Sequence, residues 1–508
     1  GVKTGSETDI IHMDKENTKE TDIKKVNLTQ TASKGAFWSL LSSTVVSAVR
    51  FVVTAVLARL LMPEDFGLIG MALLVTQIVN LFGNLGLSAA LIHRNKDVDD
   101  EDLSTSYWAN LFVSTVLTLL AVIVSPIAAR FFGEPRVQMI IALLSLNFIF
   151  SSFASIHSML AFKDLKFKKI AIIEILCTLV RVFIVLILAF KGFGVWAIVS
   201  GILVERIVKS MTFISQNSWR PRLIFNKNKF KELFHFGKNL YAGSFISYFN
   251  CNMDYIVTGR FLGAADLGFY QFAFNIPNLI ISHFTQKINE VLFPLYSKVK
   301  DDLSRVRRGY FKSIQLMAMI AFPFLMGLFF VAREFIITVY GEKWLPSVIP
   351  LQILCFAGMI RSCMTPNGSL LMSRGRPDIV FKWSLFMLPI TIISIIVSAR
   401  WGILGVAIAM VLVSLISSFI IKFCFKLIEA KLSELVFALS PATFSSLLML
   451  LVMFSYNKAM DIHQFSNLLK LFFNFVVGGA SYLLILAVFF RKELNNLVNI
   501  IESIFKKH

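Results

Sequence analysis

Arg59-Leu60-Leu61-Met62-Pro63-Glu64-Asp65-Phe66-Gly67 lies between two long apolar segments, and Arg260-Phe261-Leu262-Gly263-Ala264-Ala265-Asp266-Leu267-Gly268 lies between two more. Arginine, aspartate and glycine keep the same spacing in both copies. That is an internal duplication, in which Arg59, Asp65 and Gly67 correspond to Arg260, Asp266 and Gly268. Each copy falls where one apolar segment ends and the next begins. An arginine there satisfies terminal helix carbonyls and an aspartate caps the following helix, so the repeated residues read as structural.

Working outward, the chain of 508 residues is 56% hydrophobic, with 50 Phe, 16% charged residues and a mean hydropathy of +0.71, which excludes a soluble globule. Apolar runs near the roughly 20 residues needed to cross a hydrocarbon core recur to the end. Fourteen spans are expected, at 36–60, 67–92, 104–131, 138–161, 170–190, 194–216, 238–262, 268–294, 313–333, 347–372, 379–399, 402–422, 437–455 and 468–490. The expected fold is an all-α integral membrane protein.

The formal charge of +19 is distributed in a way that argues against nucleic acid. Lys and Arg cluster in alternate loops, at Arg94 and Lys96, at Lys163 to Lys169, at Arg220 to Lys231, at Lys298 to Lys312, at Arg374 and Arg376, and at Lys426 and Lys431. Those loops are expected to face the cytoplasm, with both termini on that side. The surplus also attracts anionic membrane lipids, each surface cation contributing on the order of 1 kcal/mol.

Several chemistries find no support. The five cysteines lie within or at the end of apolar spans, where they act as small hydrophobes, so neither a disulfide framework nor a metal site is indicated. No Walker-type phosphate loop occurs. His93, His157, His235 and His283 form no zinc pattern, and the outward loops are too short for a catalytic domain, so no catalytic residue is assigned.

Aligning the copies puts six spans in each half. The division expected is a disordered cytoplasmic tail at 1–33, an N-lobe at 34–216, a cytoplasmic amphipathic linker at 217–237, in which Phe230, Leu233, Phe234 and Phe236 with Lys227, Lys229 and Lys231 suggest an interfacial helix, a C-lobe at 238–430, two extra helices at 431–490 and an amphipathic tail at 491–508. An even span count per half gives both copies one orientation, a parallel repeat with a cleft between lobes. Prolines 126, 277, 294, 323, 366 and 389 favour kinks.

Ionisable side chains at mid-bilayer cost at least roughly 2.5–3.5 kcal/mol, so each needs a wet cavity or a partner. Arg50, Arg181, Glu174, Asp254, Lys287, Glu290 and Arg361 stand well inside expected helices. A cavity containing Arg50, Arg181 and Arg361, with Lys287, suits an anionic, phosphate-bearing substrate, because a guanidinium fork matches phosphate oxygens. The alternative is internal pairing, for instance Glu174 with Arg181. Asp254 sits in the polar run Asn250-Cys251-Asn252-Met253-Asp254, and with Glu174 and Glu290 it is a candidate for coupling to H+ or Na+; no other cofactor is expected.

From about 34 to 490 the chain resembles the polysaccharide transporters of the multidrug/oligosaccharidyl-lipid/polysaccharide flippase superfamily, in particular O-antigen and exopolysaccharide repeat-unit flippases. The carriers are Lys34-Gly-Ala-Phe-Trp38-Ser, the stretch Ala58 to Gly67, Phe82-Gly-Asn-Leu-Gly86-Leu-Ser-Ala-Ala90, Asp254-Tyr-Ile-Val, and Leu262 to Tyr270. The resemblance implies a bacterial inner-membrane protein moving an undecaprenyl-pyrophosphate-linked oligosaccharide to the periplasmic leaflet by alternating access, alongside other polysaccharide-assembly enzymes. A cation-coupled drug exporter of the same superfamily and a membrane glycosyl or lipid transferase are the competing readings.

Overall fold

Proline at the first helical position and acidic residues in the first turn are favourable helix starts, and they open the helix Pro63–Leu81. The computed structural model describes residues 35, 37–39, 41–83, 99–227, 230, 231, 241–298, 302–460 and 466–495, with backbone alone at 241–244, 280, 282–295 and 298. The expected tail at 1–33, most of the tail at 491–508 and the second half of the linker lie outside these residues.

The long helices are α1 Phe37–Leu60, α2 Pro63–Leu81, α3 Asp100–Phe132, α4 Arg136–Lys163, α5 Phe167–Phe190, α6 Val195–Ser215, α7 Tyr241–Leu262, α8 Ala264–Lys298 and α9 Leu303–Phe330. They continue as the short α10 Ala332–Val339, then α11 Val348–Ser373, α12 Pro377–Ser398, α13 Gly402–Ser418, the short α14 Ile421–Ile428, α15 Leu432–Ala459 and α16 Asn467–Phe489. No strand occurs among the described residues. Ten helical runs there are long and apolar enough to cross a membrane, one of which, Pro377–Ile428, holds α12 to α14. Helices α6, α7 and α8 have membrane length but are not among the ten; α6 and α7 carry charged residues in mid-helix. The described helix α2 begins before the expected 67–92, because Pro63 and the Asp65 carboxylate start it early, and α9 begins before 313, at the Asp302 cap.

Packing repeats with the sequence. In the first half α2 and α3 pack on α4, and α4 and α5 pack on α6; in the second, α8 and α9 pack on α11, and α11 and α12 pack on α13. Helices α15 and α16 lie outside this scheme, α15 against α9 and α16 against α15. Arg307 and Glu434 fasten that addition through paired hydrogen bonds, with Arg307 Nε donating to Glu434 Oε2 at 2.7 Å. Glu434 also accepts from the Lys431 backbone N–H at 2.9 Å, capping α15. Glu434→Ala is therefore expected to lower the unfolding midpoint of purified protein by a few degrees, and molar salt should shrink the loss by screening the pair.

The duplicated residues meet each other. A Cβ added at Gly67 would lie 1.7 Å from the Ala264 carbonyl oxygen, and one at Gly268 would lie 2.1 Å from that of Pro63. Since Ala264 is the counterpart of Pro63, the α2/α8 crossing is self-complementary: each copy presents its glycine to the same backbone atom of the other. Around it, Trp344 is fully buried and its Nε1 donates to the Ala58 carbonyl at 2.8 Å, while Lys343 Nζ donates to the carbonyls of Arg59 and Leu61. Arg59 donates to Thr338 and Val339 carbonyls at the end of α10. The arginine thus serves the carbonyls of another helix, and the end of its own helix is served by Lys343 and Trp344.

Asp65 behaves as a cap, and for two helices at once, accepting from the Met62 N–H at its own helix and from the Val195 N–H at the start of α6, each at 3.0 Å. In the second copy, Asp266 lies in the first turn of α8, and Arg260 lies 5.6 Å over the Phe131 ring. Residues 217–226 of the linker, ahead of the stretch expected as its interfacial helix, form a non-helical strap tied to the first turns of α3. The Arg222 N–H donates to Ser104 Oγ, the Asn226 N–H to Thr105 Oγ1 and Trp108 Nε1 to the Arg222 carbonyl. Pro221 lacks the N–H a helix would use, and the α3 hydroxyls supply partners instead.

Candidate polar sites within the helical bundle

Helices α5 and α6 run antiparallel and carry their charges as rungs. Arg181 Nη1 donates to Glu205 Oε2 at 3.0 Å, and Lys209 Nζ donates to Glu174 Oε1 at 3.3 Å. The register follows from sequence spacing: Glu174 and Arg181 stand two turns apart on one face, and Glu205 and Lys209 stand one turn apart on the other helix. Gly201 permits the approach, since a Cβ there would lie 2.0 Å from Val185 Cγ2. From α1, Arg50 Nη2 reaches the same carboxylate, 3.6 Å from Glu205 Oε1. Two guanidiniums therefore share one carboxylate, leaving the group with a net positive charge. Arg50 keeps 55% of its side chain exposed, so its fork stays available to another anion.

The alternative pairing of Glu174 with Arg181 does not occur, because residues seven apart on one helix are about 10 Å apart along its axis, while the neighbouring helix brings opposite charge into contact. Glu205 and Lys209 are missed by sequence reading, although both stand inside the expected span 194–216 at helical spacing. Glu174, expected as a coupling candidate, has one carboxylate oxygen paired with Lys209.

The second half builds its polar group differently. Asp254 on α7 is 1% exposed, and Tyr270 Oη on α8 donates to its Oδ2 at 2.9 Å. Its Oδ1 has no hydrogen-bond partner in the described structure, and neither has the fully buried hydroxyl of Thr258, one helical turn along. Arg361 on α11 donates from Nε to Ser414 Oγ on α13 at 3.2 Å and lies 5.0 Å over the Phe274 ring. Aromatic and hydroxyl partners hold this guanidinium in the neighbourhood of the Asp254 carboxyl. A buried carboxyl with one oxygen satisfied and one open is equipped to take up a proton or to contribute to a cation's shell.

Asn250 and Asn252 use their amide N–H groups on backbone carbonyls. Asn250 Nδ2 donates to Ser384 O on α12 at 2.9 Å, and Asn252 Nδ2 donates to Tyr248 O at 2.9 Å. Asn250 thereby ties α7 to α12, as Tyr248 ties it to α2 by donating to Leu74 O at 2.8 Å. Lys287 and Glu290 lie on the α8 backbone, with their side chains outside the described residues. Of the three arginines expected in one cavity, contacts join Arg50 to Arg181 through Glu205; Arg361 belongs to the second half's own group.

Comparison with known proteins places this geometry in context. The family described as "Polysaccharide biosynthesis protein" matches residues 56–349. The lipopolysaccharide biosynthesis protein WzxC of Escherichia coli K12 is 31% identical over 403 residues, which cover 78% of this chain and 81% of that protein. The teichuronic acid biosynthesis protein TuaB of Bacillus subtilis 168 is 27% identical over 378 residues, covering 74% of this chain and 78% of TuaB. Among solved structures, the lipid II flippase MurJ in an inward closed conformation superposes with a TM-score of 0.71 at 15% identity, covering 89% of this chain and 99% of MurJ. At that identity the likeness concerns the fold.

Proposed function

The chain belongs to the polysaccharide biosynthesis protein family, and from that premise we propose that it carries an undecaprenyl-pyrophosphate-linked oligosaccharide from the cytoplasmic to the periplasmic leaflet of the bacterial inner membrane. It does so by alternating access between an N-lobe (34–216) and a C-lobe (238–430), with fourteen spans, both termini cytoplasmic and the two helices of 431–490 added to the C-lobe. The observation that carries this reading is the Arg50–Glu205–Arg181 group, two guanidiniums on one carboxylate within membrane-length helices, with Arg50 open to a further anion. A pyrophosphate is such an anion. Arg361 supplies a third cation from the other lobe, and Asp254 with its open oxygen is the coupling group for H+ or Na+.

A cation-coupled drug exporter requires an acidic or aromatic cavity free of competing cations, which Arg50 and Arg181 oppose. A transferase requires clustered acids or a large outer domain, and the family relation favours transport. The test is leaflet crossing of a lipid-pyrophosphate-linked oligosaccharide in vesicles holding the purified protein, under imposed proton or sodium gradients. Wild type is expected to move it, and Arg50→Ala and Arg361→Ala each to slow it roughly tenfold or more, the worth of one charge-assisted hydrogen bond. Asp254→Asn should abolish the response to the gradient. Movement of a cationic drug without movement of the glycolipid would replace this reading with the exporter.

A further inference from the structure

At the basic end of the second half, α12 and α14 enclose a groove of about 680 Å³ lined by two chemically distinct sets of side chains. Its lining combines the cations Arg376, Lys382 and Lys426 with the aromatics Trp383, Phe386 and Phe423. The aromatics are a packed set: the Trp383 ring centroid lies 5.5 Å from that of Phe386 and 5.9 Å from that of Phe423. Trp383 Nε1 donates to the Ser417 carbonyl at 3.2 Å, which fixes the indole plane.

The lining is not charge-balanced. Asp378, the carboxylate in the lining, is taken by Arg376, whose Nε and Nη2 donate to its two oxygens at 2.9 and 3.1 Å. Lys382 and Lys426 have no ion-pair partner among the described residues, and both are exposed. On α12, Phe386 follows Lys382 by one turn, about 6 Å along the axis; on α14, Phe423 and Lys426 share a face. Cations and aromatics therefore line one groove side by side, an arrangement that matches a phosphate joined to a hydrocarbon chain better than a free anion or a plain acyl chain.

The duplication supplies an internal comparison. The corresponding place in the first half, between the ends of α5 and α6, is lined by Lys166, Lys169, Ile173, Phe213 and Gln216, but with His157 from α4 it leaves only about 20 Å³. Where the second half has Trp383 and Phe423 over open space, the first half is filled.

We propose that this groove is a binding site for an anionic phospholipid of the surrounding bilayer, its phosphate held between Lys382 and Lys426 and its first acyl carbons lying on Trp383, Phe386 and Phe423. The assignment needs no assumption about what the protein carries. Each surface cation contributes on the order of 1 kcal/mol toward an anionic headgroup, so two together amount to roughly thirty-fold in affinity.

The experiment is native mass spectrometry of the full-length protein titrated with phosphatidylglycerol and, separately, with phosphatidylcholine. Wild type should retain phosphatidylglycerol preferentially. Lys382→Ala with Lys426→Ala should weaken that retention about thirty-fold without changing phosphatidylcholine, and Lys382→Arg with Lys426→Arg should restore it, which separates charge from folding. Lys166→Ala with Lys169→Ala should leave it unaltered. Equal retention of the two lipids, unchanged retention in the alanine pair, or an equal loss in the Lys166/Lys169 pair would overturn the site.

Discussion

Gly67→Val and Gly268→Val are expected each to destabilise the protein by about 3 kcal/mol or more, the upper range for overpacking a tight contact. The reason is geometric. At both positions a Cβ would fall within 2.1 Å of a backbone carbonyl oxygen, and backbone, unlike a side-chain tip, has no rotamer into which to retreat. The only relief is separation of α2 from α8, which also strains the neighbouring contacts of Trp344 with Ala58 and of Arg59 with α10. Because the two glycines belong to one self-complementary contact, the double variant should cost about as much as the worse single one, not the sum. Thermal unfolding in detergent measures this. Gly327→Ala and Gly479→Ala are the controls, since nothing stands within 4 Å of a Cβ at either place, and their midpoints should be unchanged or slightly raised. Unchanged midpoints in both valine variants would mean that the crossing is looser than its geometry.

Glu205→Gln is expected to produce the second large effect, roughly 3 kcal/mol, the cost of one unpartnered charge at mid-helix in a membrane. Glu205 is 16% exposed and is the shared partner of Arg50 and Arg181, so its neutralisation strands two guanidiniums with one substitution. Glu174→Gln strands only Lys209, whose flexible stem can snorkel, and should cost distinctly less. Adding Arg181→Gln to Glu205→Gln should recover much of the lost stability by removing the more buried of the two stranded charges. The same thermal unfolding series reads all three variants; a Glu205→Gln midpoint equal to that of Glu174→Gln would show that Arg50 and Arg181 are independently solvated.

Much of the candidate site is legible in the sequence as residue type alone. Arg50, Arg181, Asp254 and Arg361 stand out because charge inside an apolar run is costly and needs compensation. Their partners do not stand out, because compensation comes from other helices. Glu205 and Lys209 carry a signal, charge at helical spacing within 194–216, but nothing in that spacing says that α1 and α5 converge on them. Tyr270 and Ser414 carry no signal at all: a tyrosine or serine in an apolar helix is ordinary until a carboxylate or a guanidinium is placed beside it.

The sequence by itself determined that the chain is helical and membrane-embedded, that it contains a duplicated Arg/Asp/Gly unit, and which interior residues are charged. Those properties are local or periodic: hydrophobic runs set the helices, proline and aspartate set starts such as Pro63, and repetition is legible as repetition. Tertiary structure alone decided that Gly67 and Gly268 face each other's copy, that Arg59 serves α10, that Asp65 caps two helices, and that residues 217–226 strap onto α3. The physical reason is that hydrogen-bond and ion-pair partners in a helical bundle are chosen by crossing geometry between segments far apart in sequence, and one-dimensional spacing contains no crossing angle.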